Sequence, residues 1–225
     1  MKGRFYAVGV GPGDPELITM KAVRILKECD VIAGPVSKGK TTALDIAASY
    51  IEGKEILLLE IPMNRDQKVR SQSHKEAALK ISNLLEEGKS VALLTLGDPC
   101  IYSSCWYIFQ IIQKKGYEAE IISGIPSFCA AAAKMKKALC EDDEMLHIIP
   151  ASHGQTKEGV ALPGNKIFMK SGKAVLEVKK ALLESGQLSK ASLVERCGME
   201  GERVFEHLED MEEESGYFSV ILVKT

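Results

Sequence analysis

The chain has 225 residues, 45% of them hydrophobic and 27% charged, with 29 Lys plus Arg against 31 Asp plus Glu and a formal net charge of −2. At roughly 150 residues per domain this is one large or two small globular domains, enough to bury a core without staples, and the composition disfavours disorder, collagen and coiled coil. A near-neutral balance argues against a general nucleic-acid binder, which carries a basic excess, and leaves room for a local basic pocket.

The amino terminus lacks the apolar run of a secretory leader, and no window approaches the roughly 20 apolar residues of a membrane span, so a cytoplasmic protein without a membrane anchor is expected. The six cysteines, Cys29, Cys100, Cys105, Cys129, Cys140 and Cys197, form no C-x-x-C pair. They read as reduced small hydrophobes rather than a zinc or redox motif.

In chain order, Phe5–Val10 reads as a strand that runs into Gly11-Pro12-Gly13. Apolar residues at 18, 22, 25, 26 and 29 predict a helix over Ile18–Glu28. A short buried strand at Asp30–Ala33, a helix at Thr42–Ile51 and a strand at Glu55–Ile61 follow. Ala77, Ala78, Ile81, Leu84 and Leu85 give one apolar face to a helix from about Gln67 to Glu87, stopped by Gly88. Val91–Leu96 is the most continuous apolar strand; a helix at Ser104–Lys115 and a strand at Glu118–Ile122 follow. This βαβα alternation predicts an α/β fold with a largely parallel sheet covered by helices on both faces.

Past about residue 125 the texture changes. A small-residue helix at Phe128–Lys137 precedes a strand at Leu146–Ile149 and a polar, Gly-containing loop over Ser152–Asn165. Strands are expected near Lys166–Met169, Ala191–Cys197 and Phe218–Val223, with a helix at Ala174–Glu184. The domain boundary is placed near Gly124, giving domains 1–124 and 125–225.

Four segments are candidates for chemistry. Gly9-Val10-Gly11-Pro12-Gly13-Asp14-Pro15 follows the first strand, where glycines let a ligand approach the backbone. Its G-x-G-x-G spacing is not the dinucleotide fingerprint, Pro12 lacks an N–H, and a purely structural turn is the alternative. Gly34-Pro35-Val36-Ser37-Lys38-Gly39-Lys40-Thr41 matches the P-loop pattern, with Lys40 for phosphates, Thr41 for magnesium and Asp98 as a matching acid. Thr95-Leu96-Gly97-Asp98-Pro99-Cys100-Ile101-Tyr102-Ser103 sits at the carboxyl end of a central strand, where open α/β sheets bind ligands. Ser123-Gly124-Ile125-Pro126-Ser127 follows another strand, with Ser127 read either as a ligand contact or as a helix cap.

Taken together, Gly9–Thr19, Gly97–Ser103 and Ser123–Ser127, in that order, resemble the tetrapyrrole (corrin/porphyrin) methylase family. Asp30–Lys38, Val194–Glu200 and Tyr217–Val223 resemble its branch that methylates the C(20) meso carbon of precorrin-2 or cobalt-factor II in cobalamin synthesis. The resemblance spans essentially the whole chain. It implies two α/β domains with S-adenosylmethionine in the cleft between them, and a homodimer. By motif matching it implies cofactor contacts at Pro12, Leu96, Gly97, Asp98, Ile101, Tyr102, Pro126, Ser127 and Met169, the last with core packing as the alternative. It also accounts for the P-loop match, because related sequences carry V-S-K-x-G at that place without a nucleotide.

Methyl transfer from a sulfonium to an electron-rich carbon needs alignment and exclusion of water more than covalent help. Tyr102, Asp14, Asp98 and Glu195 are candidates for a base that removes the proton at the methylated carbon. Lys38, Arg65, Arg70 and Arg196 are candidates for the substrate carboxylates, with solvated surface charge as the alternative for each. His74, His147, His153 and His207 show no ligand spacing, so no protein metal site is assigned, and any cobalt arrives inside the substrate ring. Three competing functions stay open: methylation at another position of a corrin precursor, a P-loop phosphotransferase using Gly34–Thr41, and a tetrapyrrole-binding protein without catalysis.

Overall fold

Apolar runs with no polar alternation become the strands of an all-parallel sheet in the first of two units, Met1–Pro126; the second is Ser127–Thr225. The structure is a computed structural model that describes residues 2–37, 39–62, 64, 66–151, 154–212 and 216–225, with Lys173 described by its backbone alone.

In the first unit β1 (Phe5–Gly9), β2 (Val31–Val36), β3 (Glu55–Glu60), β4 (Val91–Thr95) and β5 (Ala119–Ile122) lie in the order β3-β2-β4-β1-β5. The chain crosses the sheet in one direction from β1 to β3 and returns in the other through β4 to β5. Right-handed crossovers then put the intervening helices on opposite faces. These are α1 (Met20–Glu28) and α2 (Thr42–Ala47) on one side, α3 (Gln67–Glu86) and α4 (Ser104–Lys114) on the other. Phe5, Ala7, Val31, Ala33, Val91 and Leu93 point to one face and pack with Ala78, Ile81, Leu85, Ile108 and Ile112 of α3 and α4. Side-chain oxygens cap three helices: Thr19 accepts from the Ala22 amide at 3.2 Å, Asp66 from Lys68 at 2.7 Å and Ser103 from Cys105 at 3.1 Å. The Thr19 cap moves the start of α1 to Met20, two residues past the expected Ile18. The expected helix Thr42–Ile51 is α2 followed by a 3₁₀ turn at Ala48–Tyr50.

The second unit has β6 (Leu146–Pro150), β7 (Asn165–Met169), β8 (Ala191–Glu195), β9 (Arg203–Phe205) and β10 (Ser219–Val223) in the order β6-β7-β10-β8-β9. Here the sheet is mixed: β6 and β7 are parallel, while β10 runs antiparallel to β7 and β8, and β9 antiparallel to β8. Helices α5 (Ser127–Met135), α6 (Thr156–Ala161) and α7 (Val175–Glu184) complete it. Its core joins Ile149, Phe168, Val178, Leu182, Leu193 and Ile221.

Two elements depart from the sequence reading. Helix α6 lies inside the stretch expected to be a loop. Its Gly159, unfavourable in a helix, sits where a Cβ would come within 2.9 Å of the Ile149 side chain, so close packing outweighs propensity. Strand β9, three residues long, was not expected at all. Among the described residues no helix is long and apolar enough to cross a membrane.

Candidate functional site

The loops after β1, β4 and β5 emerge from the carboxyl ends of three adjacent parallel strands, the place where open α/β sheets bind ligands. They are joined backbone to backbone. Gly11 and Gly97 form a bridge, the Gly97 amide donating to Gly11 O at 2.7 Å and the Gly11 amide to Gly97 O at 3.3 Å. A Cβ on Gly9 would lie 2.5 Å from Gly97 O and 2.7 Å from Gly124 N, and one on Gly124 would lie 2.2 Å from Gly97 O. Glycine at 9, 97 and 124 is therefore what lets the three loops meet.

Asp98 locks this arrangement. Its Oδ1 accepts from the Cys100 amide at 2.8 Å and its Oδ2 from the Gly124 amide at 3.0 Å, so one carboxylate ties the second loop to the third. Thr95 and Ser103 hydroxyls bond at 2.8 Å and close the base of the loop between them. At its tip Tyr102 adopts φ +49°, a left-handed backbone uncommon for a tyrosine, with 45% of the residue exposed. Gly97, at φ +69°, leaves room on its Cβ side, where Ile125 O and Pro126 Cα are 4.0 Å away. Thr19, the α1 cap, also donates to Ser123 O at 3.5 Å and so touches the third loop.

Of the residues expected to contact a cofactor, Pro12, Leu96, Gly97, Asp98, Ile101, Tyr102 and Pro126 all belong to these three loops. Pro12 and Gly97 are buried, and Leu96, Ile101 and Pro126 are half-buried. Ser127 and Met169 belong to the second unit, where Ser127 opens α5 and Met169 ends β7 opposite Val220.

Besides Asp98, two more of the base candidates carry other bonds. Asp14 accepts from the Glu16 amide at 2.9 Å and caps the 3₁₀ turn Pro15–Leu17. Glu195, 5% exposed at the end of β8, accepts from Arg203 Nε at 2.8 Å and from the Gly216 amide. That ion pair has no local sequence signal, since β9, which supplies Arg203, was missed.

Among the substrate-carboxylate candidates, Lys38 and Arg65 lie outside the described residues. Arg70 donates to Asn64 O at 2.8 Å, and Arg196 is exposed at φ +54°. Burial pushes the Cys29 thiol up to about 12, and burial likewise raises Cys105. Desolvation first and the Asp98 carboxylate second raise Cys100, so none of the three is an activated nucleophile. Among the described residues no group of three or more His, Cys, Asp or Glu is arranged to hold a metal ion.

The P-loop reading of Gly34–Thr41 is corrected. Gly34, Pro35 and Val36 are not a loop; they continue β2 and pair with Leu58, Leu59 and Glu60 of β3. Ser37 and Lys40 then exchange both backbone hydrogen bonds, at 3.2 and 3.1 Å, across a turn with Gly39 at φ +73°. A phosphate cradle needs a run of free amides after the strand. Here the Lys40 amide is taken by Ser37 O, and the Thr41 hydroxyl bonds Asp45 Oδ1 at 2.9 Å.

Comparison with known proteins adds four findings. Residues 4–212 match the profile of the family described as Tetrapyrrole (Corrin/Porphyrin) Methylases. The cobalt-precorrin-2 C(20)-methyltransferase of Salmonella typhimurium is 31% identical over 230 residues, 99% of this chain and 97% of that protein. A probable cobalt-precorrin-2 C(20)-methyltransferase of Methanocaldococcus jannaschii is 42% identical over 149 residues, 65% of this chain and 64% of the relative. Among solved structures, a uroporphyrin-III C-methyltransferase of Thermus thermophilus in complex with S-adenosylhomocysteine superposes with a TM-score of 0.71. It is 22% identical and covers 98% of this chain and 97% of its own, a likeness of fold.

Proposed function

Since the chain belongs to the tetrapyrrole (corrin/porphyrin) methylases, we propose that it transfers a methyl group from S-adenosylmethionine to the C(20) meso carbon of a precorrin-2-type ring. The observation that carries this reading is the similarity to a C(20)-methyltransferase over 99% of the chain, a span that includes all three loops. The cobalt-bearing form of the ring is the expected substrate, because both relatives carry cobalt-precorrin-2 in their names.

The glycine junction suits such a cofactor. Backbone stands where side chains would otherwise fill the space, and a Cβ added to Gly97 would meet nothing nearer than Ile125 O and Pro126 Cα at 4.0 Å. When bound, S-adenosylmethionine supplies a methyl group already activated by its sulfonium. Pro12, Leu96, Ile101 and Pro126 offer apolar contact, and loop backbone offers donors and acceptors; Ser127 and Met169 are the remaining proposed contacts. Asp98 acts through the loops it joins, because its carboxylate already holds two amides. The chain's contribution to the reaction is alignment and exclusion of water, which well-oriented sites convert into several kcal/mol of barrier, of order 7–11 at best. Tyr102, at the exposed loop tip, is the proposed group to hold a proton at the methylated carbon. Six cysteines outside any disulfide fit a reducing cytoplasm, and a homodimer is the proposed assembly.

The test is a methyl-transfer assay read by mass spectrometry and carbon NMR, with isotope-labelled S-adenosylmethionine and, separately, metal-free precorrin-2 and cobalt-factor II. One labelled methyl at C(20) of the cobalt ring is expected. Label at another carbon, or a protein that binds the ring and returns it unmethylated, overturns the reading.

A further inference from the structure

We infer that Glu195 is a positioning residue that sets the path of the loop after β7. This goes beyond the functional reading above and rests on it, since that reading makes Met169 a cofactor contact. Glu195 ends β8 and is 5% exposed, so its carboxylate requires partners. It finds them on both sides. Directly across β9, Arg203 donates Nε and Nη2 to Oε2; toward β10, the Gly216 amide donates to Oε1. A Cβ on Gly216 would lie 2.6 Å from Oε1, so the carboxylate is pressed against that backbone.

The clamped backbone in turn supports the loop after β7. A Cβ on Gly172 would lie 3.7 Å from Tyr217 Cα and 4.0 Å from Gly216 O. Ser219, the β10 partner of Glu195, accepts from the Gly172 amide at 3.2 Å. Between Met169 and this contact the chain makes a tight bend, with Lys170 at φ +56° and Gly172 at φ +37°. Such strained backbone persists only where its surroundings over-determine it. The Ser219 hydroxyl and the Gly216–Tyr217 backbone that Glu195 clamps are part of those surroundings, beside the loop's own Ser171–Phe168 and Ala174–Ser171 bonds, and they help aim the segment that begins at Met169.

The experiment compares wild type, Glu195→Gln and Arg203→Gln. Arg203 is exposed on a short edge strand, so its substitution leaves the core intact even where Glu195→Gln impairs folding. S-adenosylhomocysteine affinity is measured by calorimetry, kinetics by the labelled-methyl assay, and amide exchange over residues 170–174 by mass spectrometry. A contact weakened by about 1.4 kcal/mol is a tenfold loss of affinity. Both substitutions are therefore expected to weaken S-adenosylhomocysteine about tenfold or more and to speed exchange at Gly172. The turnover number at saturating cofactor and the shape of the pH profile are expected to stay as in wild type.

A lost pH limb and collapsed turnover in Glu195→Gln, with affinity unchanged and Arg203→Gln normal, make Glu195 a base and overturn the inference. Unchanged exchange and affinity in both variants also overturn it. If wild type itself binds no S-adenosylhomocysteine, the functional reading fails instead, and exchange at residues 170–174 still decides the clamp.

Discussion

Asp98 and Glu195 show how a carboxylate that reads as chemistry in sequence becomes architecture in the fold. Asp98 takes an amide from Gly124, 26 residues on, and Glu195 takes one from Gly216, 21 residues on. No spacing rule reaches that far. The glycines are the stricter requirement. Gly124→Ala places a methyl 2.2 Å from Gly97 O, against backbone that cannot swing aside. It should cost about 3 kcal/mol or more in denaturant unfolding. Gly53→Ala, at φ +74° with nothing within 4 Å, should cost only about 1 kcal/mol of backbone strain; equal losses at the two positions would remove the close-approach argument.

His74 carries a different consequence. It is buried on α3, stacked on Tyr107 of α4 at 5.2 Å, and its Nε2 has no hydrogen-bond partner among the described residues. Burial first and the nearby Arg70 second lower its pKa below the usual 6.5. The folded state therefore holds fewer protons than the unfolded chain below that pH. This contribution to stability is complete above about pH 6.5 and is lost as pH falls toward the folded value. Denaturation midpoints of wild type and His74→Phe should thus converge or cross as pH drops from 7 to 5; a constant gap would exclude His74 as the source.

At the level of elements, strands and helices of the first unit follow from apolar pattern to within a residue or two at most ends, because the strands are short apolar runs and the helices carry apolar residues at helical spacing. Strand β2 is the exception with a functional consequence. It pairs with β4 through Val31–Ala33 only and with β3 through Val36, so beyond Ala33 it is an edge. An edge strand tolerates Pro35, which lacks an N–H, and this lets P-loop-like residues be strand instead of cradle. Lys40→Ala should accordingly leave methyl transfer within about twofold of wild type, since the Ser37–Lys40 turn is made by backbone alone; abolished activity would revive the phosphate reading. Helix α6 was illegible for the opposite reason, its Gly159 being explained only by contact with Ile149 of β6.

At the scale of the whole molecule, the near-zero net charge conceals local imbalance. One cavity in the second unit is lined by Lys136, Lys137, Lys190 and Lys224 with Glu141 as the single acid. Ligand linkage supplies the broadest check. A ligand that binds only the folded state stabilises it by about 2.7 kcal/mol at a hundredfold excess over Kd. For a chain of 225 residues that corresponds to a rise in melting temperature of about 5 °C or more. S-adenosylhomocysteine should produce such a rise and adenosine diphosphate none; the reverse pattern would favour a phosphotransferase. Light scattering at twice the 24.6 kDa chain mass would support the homodimer, and the single mass would reject it.

Family, α/β class and the three glycine loops are legible in the chain alone, because they rest on contiguous residues whose order and type are local properties. The partners of Asp98 and Glu195, the extension of β2 through Pro35, the antiparallel course of β10 and the existence of β9 are not. Each depends on which backbone segment arrives opposite another. That is settled when distant strands pair and the buried polar groups between them find their hydrogen bonds.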